Sequence, residues 1–338
     1  MKAIVMNKDG SVHYCDVPIP GIDGRQALIK VAACGLCGSD LHNYHGSFES
    51  TWALPEVIGH EFSGTVVECG NEVTKVRVGD RVTVEPLLSC GRCENCLDGR
   101  SNVCDKVLLI GGELPGGFGE YAAVHESCLI KLPEGMPIEH GALAEPVATS
   151  VHAIRRLHGR HYRRAVILGS GTVGMITMLV LRRHVERIVM TDVDESRLQK
   201  ALALGADEVI NAEKQNAVEQ ALELSGGQRY DLIIDAAGFP STRQQGFDLI
   251  KNGGDYVVLG LGERFHPVDF QRLATGELNL IGSQCHVKED FDEAFRLLMD
   301  GTVEYDRIVT QLPLSKAPYA FANPRIDIKI NFIPDESR

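Results

Sequence analysis

Ten cysteines are spread unevenly along this 338-residue chain, and four of them, Cys90, Cys93, Cys96 and Cys104, fall within fifteen residues. Their spacing is C-x2-C-x2-C-x7-C. In an oxidising compartment such a run would read as two disulfides; in a reducing one it reads as thiolate ligands to a metal. A second group is chemically mixed: Cys37, His60 and Glu61 offer one thiolate, one imidazole and one carboxylate. Catalytic zinc takes three protein ligands of these kinds and keeps a fourth position open. Each member also has a plain reading, since a lone cysteine or histidine is often a satisfied core residue. A third group is Gly169-x-Gly171-x-x-Gly174, with Asp192 twenty-one residues after Gly171. There the first glycine permits a tight turn, the second lets backbone approach a pyrophosphate, and the third lets a helix pack on a strand. Thr172 and Val173 open that helix, whose free N–H groups would face the phosphates. The Asp192 carboxylate can accept hydrogen bonds from ribose hydroxyls and would repel a 2′-phosphate, which favours NAD over NADP. Arg197 is placed either to pair with Asp192, to stack on adenine, or to sit on the surface.

These groups need scaffolding, and the hydrophobic pattern supplies two kinds. Up to about residue 150 the chain reads as short strands and loops. Ser11 to Cys15 and Ala27 to Val31 are strand-like, and Val76 to Val78 and Val82 to Val84 alternate about Gly79-Asp80 like a hairpin. Many short strands between glycine and proline turns predict a partly open β-barrel. Beyond that point apolar runs alternate with helices. Ala165 to Leu168 precedes the glycine turn, followed by Arg187 to Asp192, Glu208 to Ile210, Asp231 to Asp235, Tyr256 to Gly260 and Leu278 to Ile281. Continuous apolar strands separated by helices predict a parallel sheet covered on both faces. In the tail, Phe291, Phe295 and Leu298 share a helix face and Gly301 stops it.

Bulk properties narrow the partners. A formal net charge of −12 argues against a nucleic-acid or acidic-membrane binder. The apolar run Met175 to Leu181 ends at Arg182, too short to span a bilayer, and Met1 to Val5 lacks the apolar core of a secretory signal. The expectation is a cytoplasmic protein with reduced thiols, which favours the metal reading of the four cysteines over the disulfide one. The basic stretch Arg155 to Arg164 reads as a solvated helix end and loop.

The order C-G-x-C-G-S-D-x-H from Cys34, G-H-E-F-x-G from Gly59, the four-cysteine run, G-G-F-G-E-Y from Gly116, E-P at Glu145 and then G-x-G-x-x-G resembles the zinc-dependent medium-chain dehydrogenase/reductase superfamily over essentially the whole chain. It is most similar to the polyol and sugar-acid branch, with the sorbitol, threonine and galactonate-type enzymes. The resemblance implies an α/β chain: a GroES-like partly open β-barrel catalytic domain at residues 1–148 with a zinc lobe at about 88–105, a Rossmann doubly wound parallel-sheet domain at 149–283, and a segment 284–338 returning to the catalytic domain. It also implies two zinc ions per chain and NAD(H). Cys37, His60 and Glu61 would hold the catalytic zinc, with Glu145 as a ligand or as the holder of a zinc-bound water. Ser39 and His42 match proton-relay positions, and Cys90, Cys93, Cys96 and Cys104 match a closed structural site.

The activity so implied is oxidation of a secondary hydroxyl of a polyol, sugar, sugar acid or (amino)cyclitol to a ketone. A threonine-type or simple secondary-alcohol dehydrogenase is the alternative, and a non-catalytic NAD-binding regulator the alternative of another class. Phe48, Trp52, Phe118 and Gln284 are candidate pocket walls, the aromatics being equally readable as core. Gly282-Ser283-Gln284-Cys285-His286 carries no arginine where polyol relatives often have one, which weakens the case for an anionic substrate. A homodimer or homotetramer is expected from the resemblance, through the strand near Leu278 to Gly282.

Overall fold

A computed structural model describes residues 1–46, 52–54, 56–323 and 327–335. The chain divides into two compact units, one of residues 1–148 and 286–338, the other of residues 149–285.

The first unit is built on strands β1 (Lys2–Met6), β2 (Val12–Asp16), β3 (Gln26–Gly35), β4 (Glu56–Val57), β5 (Glu61–Cys69), β6 (Arg81–Val84), β7 (Leu87–Leu88), β8 (Leu108–Leu109), β9 (Tyr121–His125) and β10 (Leu129–Lys131). Helices α1 (Gly38–Tyr44) and α2 (Glu94–Leu97) interrupt them, and α3 (Ala144–Arg155) begins in this unit and runs on into the second. The second unit holds β11 (Tyr162–Leu168), β12 (Val185–Asp192), β13 (Glu208–Asn211), β14 (Tyr230–Asp235), β15 (Ile250–Val258) and β16 (Asn279–Gly282). Its helices are α4 (Thr172–Leu181), α5 (Glu195–Leu204), α6 (Ala217–Leu224), α7 (Pro240–Leu249) and α8 (Phe270–Thr275). The tail returns to the first unit with α9 (Asp290–Met299), α10 (Tyr305–Ile308), β17 (Val309–Pro313), α11 (Ala317–Ala322) and β18 (Lys329–Ile333).

In the first unit the main sheet runs β10-β6-β5-β3-β18-β17, with β9 also on β3. Its pairings are antiparallel except β17 with β18. The insertion of β18 beside β3 puts sequence-distant residues in register: Gly35 faces Glu61 on one side and Asn331 on the other. Ile4, Ile29, Phe62, Phe118, Phe321 and Phe332 form the centre of the core. The hairpin expected around Gly79-Asp80 is absent: β6 pairs with β5 and β10, and Val76 to Val78 form no strand. Gly79 N–H instead donates to the Val66 carbonyl, and Val78 is exposed. Long-range pairing that buries Val82 and Val84 outcompetes a local hairpin with one solvent-facing arm.

The second unit is a six-stranded, all-parallel sheet in the order β13-β12-β11-β14-β15-β16. Numbered from β11, this is the 3-2-1-4-5-6 order of a Rossmann fold. Its central strands β11 and β14 are buried on both faces along their apolar runs, whereas the edge strand β16 is largely exposed. The basic stretch is partly built in: Arg160 grips the buried Asp255 through two 2.9 Å hydrogen bonds, joined by the Tyr162 hydroxyl and by Asn279.

Candidate active site

α1 starts directly after β3, and its geometry follows from one side chain. Asp40, at the third helical position, accepts a hydrogen bond from Cys37 N–H at 2.8 Å, which fixes the entry to the helix. Its other oxygen lies 3.7 Å from His60 Nδ1, and Asp40 is wholly buried. β5 begins at Glu61, so His60 and Glu61 leave the strand end together toward the start of α1.

The result is a cluster: donor atoms of Cys37, His60 and Glu61 all lie within 4.8 Å of one another. His60 and Glu61 are buried and Cys37 is half-buried. Zinc fits this set by donor chemistry, one thiolate, one imidazole and one carboxylate, and by what is left over. The Oγ of Ser39 and Nδ1 of His60 are buried without a hydrogen-bond partner, and buried polar atoms rarely stay so. Ser39 and His42 share α1, with His42 in its last turn. Burial, and secondarily the charge of His45, holds the His42 imidazole below its ordinary pKa, favouring the neutral form that can accept a proton.

Glu145 lies outside the three-residue cluster. It opens α3, is buried, and its Oε1 is 3.0 Å from Nε2 of the wholly buried His286. Burial would raise its pKa, but the His286 hydrogen bond and nearby positive charge hold it below the ordinary carboxylate value. On Glu61, the ammonium of Lys329 pairs with Oε2. Burial would discharge this lysine, yet the charges of Glu61 and Cys37 outweigh that and hold its pKa above the ordinary value.

The four-cysteine lobe forms a second cluster, its sulfurs also within 4.8 Å of one another. All ten cysteines are free thiols. Backbone N–H groups of Arg92 and Cys93 pull the Cys90 thiol down to about 6, while burial and the neighbouring sulfurs push Cys96 up to about 11. Four thiols so close cannot all ionise unless a cation sits among them, which is the condition a closed tetrathiolate zinc site meets.

In the second unit Gly169, at φ +100°, makes the turn from β11 toward α4. A Cβ on Gly174 would stand 1.9 Å from the Gly169 carbonyl oxygen, so no larger residue lets α4 begin there. Around Gly171 a Cβ would meet nothing within 4 Å, leaving the backbone open to a ligand. Thr172 and Val173 form the first turn of α4. Asp192, at the end of β12, accepts from the N–H of Ser170 at 2.7 Å and from those of Val193 and Asp194. Arg197 is half-buried, and its Nε has no hydrogen-bond partner.

The pocket-wall candidates scatter. Phe118 is wholly buried, edge-on to Phe321 and Phe332, and is a core ring instead of a wall. Trp52 is half-buried against the same core, Gln284 is exposed, and Phe48 lies outside the described residues.

Residues 23–134 match the alcohol dehydrogenase GroES-like domain, and residues 172–300 match zinc-binding dehydrogenase. A sorbitol dehydrogenase from Halalkalibacterium halodurans is 33% identical over 316 residues, covering 92% of each chain. The chain belongs to the zinc-binding alcohol dehydrogenase family.

An L-threonine 3-dehydrogenase from Bacillus velezensis is 34% identical, covering 93% of this dehydrogenase and 92% of that protein. The galactitol-1-phosphate dehydrogenase structure from Escherichia coli superposes with a TM-score of 0.90 at 28% identity, over 99% of this chain and 100% of that one. A zinc-binding dehydrogenase structure from Sinorhizobium meliloti, bound to NADP, gives 0.89 at 32% identity, over 98% and 99%. Among the described residues no helix of the dehydrogenase is long and apolar enough to cross a membrane. Sequence reasoning missed Asp40, His286 and Lys329. The signal for Lys329 was visible: a lysine alone in the apolar strand I-K-I-N-F-I.

Proposed function

We propose that this dehydrogenase oxidises a secondary hydroxyl of a neutral polyol, sugar or cyclitol to a ketone, passing the hydride to NAD. The observation that carries the reading is the convergence of Cys37, His60 and Glu61, with the unpartnered hydroxyl of Ser39 on the adjoining helix. Those three residues would hold a zinc ion, which when bound supplies Lewis acidity toward the substrate hydroxyl. Asp40 orients the centre by anchoring Cys37 N–H and facing His60. Ser39 takes the hydroxyl proton and His42 carries it outward. Glu145, held by His286, is an outer carboxylate beside the centre. The glycine turn and α4 would bind the pyrophosphate, and Asp192 the ribose. The lobe cysteines would hold a second, structural zinc.

Neutrality of the substrate is supported by His286, which stands wholly buried against Glu145 at the start of the tail, in place of an available arginine. Threonine remains the alternative substrate because that relative is equally similar. The preference for NAD rests on Asp192, although the S. meliloti neighbour binds NADP. Free thiols suit a cytoplasmic setting. A homodimer or homotetramer is supported by β16, an edge strand with Leu280 exposed, and equilibrium sedimentation tests it.

The deciding experiment is NADH formation across polyols, polyol phosphates, cyclitols and 3-hydroxy amino acids. Turnover confined to L-threonine would replace the polyol reading, and no turnover by zinc-replete protein would leave an NAD-binding regulator.

A further inference from the structure

Asp192 and Asp235 hold matching places in the second unit. Asp192 ends β12 and Asp235 ends β14, and these two strands flank β11, where the strand order reverses. Ligands of such sheets lie outside the carboxyl ends of the strands at that reversal. Asp192 is half-buried and open to a ligand, whereas Asp235 is wholly buried. What Asp235 holds is backbone. Its Oδ1 accepts from the N–H groups of Ala237 at 3.2 Å and Gly238 at 2.8 Å, and from the Thr242 hydroxyl at 3.1 Å. Its main-chain carbonyl accepts from the N–H groups of Leu259 at 3.0 Å and Gly260 at 2.8 Å, beyond the end of β15. One residue therefore fastens two loops, 236–239 and 259–262.

Between those loops the packing is backbone on backbone. Gly238 sits at φ +75°, and a Cβ there would lie 2.3 Å from the carbonyl carbon and oxygen of Gly260. A Cβ on Gly262 would lie 2.8 Å from the Ala237 carbonyl oxygen. The first loop also rests on the glycine turn: Ala236 N–H donates to the Leu168 carbonyl at 2.9 Å, and a Cβ on Gly169 would lie 3.0 Å from Ala237 Cβ. Glycine loops are free to take many shapes, so something must select one. Burial works against the Asp235 charge, and an apolar residue would fill the space more cheaply. What the carboxylate adds is a fixed loop shape. In the cofactor reading above, the glycine turn and α4 take the pyrophosphate and Asp192 the ribose on the β12 side. The other half of the dinucleotide then extends over β14 and β15. We propose that Asp235 is a positioning residue for the cofactor: it shapes the two glycine loops that carry the half of the dinucleotide beyond the pyrophosphate, the half bearing nicotinamide.

This inference rests on the cofactor reading, and the test separates the two. Binding of NADH and of ADP to the full chain is measured by titration calorimetry. ADP carries the adenosine and both phosphates, whereas NADH spans both halves. Wild type that binds both upholds the cofactor reading, and wild type that fails to bind NADH overturns that reading itself. Asp235→Ala is expected to bind NADH at least about tenfold more weakly, with ADP affinity within about twofold of wild type. Asp235→Asn keeps an acceptor oxygen and is expected to bind NADH within about threefold of wild type. Equal weakening of NADH and ADP in Asp235→Ala is the mark of a merely structural role and overturns the proposal. Unchanged NADH binding in Asp235→Ala, or Asp235→Asn no better than Asp235→Ala, also overturns it. If Asp235→Ala does not fold, Gly262→Ala replaces it, since its methyl group would press on the Ala237 carbonyl and part the loops. The same split between NADH and ADP upholds the proposal, and equal loss or no loss overturns it.

Discussion

In the proposed reaction Cys37, Ser39 and Asp192 carry separable parts, and each can be tested singly. Cys37→Ser removes the thiolate from a three-ligand set, so the catalytic zinc is expected to be lost, with kcat down at least about a thousandfold. Metal analysis together with turnover checks this. Ser39→Ala leaves the ligands in place and removes the first proton acceptor, so kcat is expected to fall about a hundredfold with zinc content unchanged. A zinc-replete Ser39→Ala of normal rate would exclude the relay. The Asp192 carboxylate is anchored by three backbone N–H groups, and under the proposed cofactor reading it binds the ribose and repels a 2′-phosphate. Asp192→Ala is expected to raise the NADPH to NADH preference at least about tenfold, measured as a ratio of kcat/KM values.

Elements decide whether those residues meet. α4 can begin where it does only because Gly174 has no Cβ. Gly174→Ala is expected to weaken NADH binding at least about tenfold and to destabilise the protein by about 1–3 kcal/mol, read by fluorescence titration and thermal melting. β18 delivers Lys329 to Glu61 and is tied down just beyond its end: Asp335 accepts from Ser315 at 2.7 Å and from Tyr14 at 2.9 Å. Burial works against the Asp335 charge, but these hydrogen bonds hold its pKa below the usual 3.8, so its contribution is present above that pH and lost as pH falls through the lower folded value. Burial and then Asp335 push Tyr14 up to about 12, so its neutral form is the bonded one, and that contribution is lost as pH rises from 10 toward 12. Asp335→Asn is expected to cost about 1 kcal/mol near neutral pH and to flatten the acid limb. An unchanged acid limb in Asp335→Asn denaturation curves would remove the clamp. The inner strands of the Rossmann unit were legible because both faces are buried and apolar runs are unbroken; β16, exposed at the edge, was read one residue early at Leu278. The Val76 to Val78 hairpin was misread because alternation alone does not say which neighbour a strand takes.

Across the whole molecule the two clusters should respond differently to metal loss. The lobe is a closed all-thiolate site whose ligands are drawn from fifteen consecutive residues, whereas the other cluster joins α1 to the start of β5. Cys93→Ser is expected to lose one zinc and several degrees of melting temperature while the surviving fraction keeps its kcat. Mild chelation is expected to remove activity reversibly, with zinc restoring it. Loss of kcat in folded Cys93→Ser protein would show that the lobe takes part in the reaction.

The sequence by itself determined what is local or periodic: the four-cysteine run, the glycine turn with its acidic partner, the apolar strands, and the order of motifs that marks the family. Spacing carries that information because each feature is closed by residues near one another in the chain. Only the tertiary structure decided which residues stand behind the ligands. Asp40 faces His60, His286 holds Glu145 across 141 residues, and Lys329 reaches Glu61 across 268. These partners are chosen by strand register and by the cost of leaving a buried charge unmatched, and neither leaves a pattern in the linear order of residues.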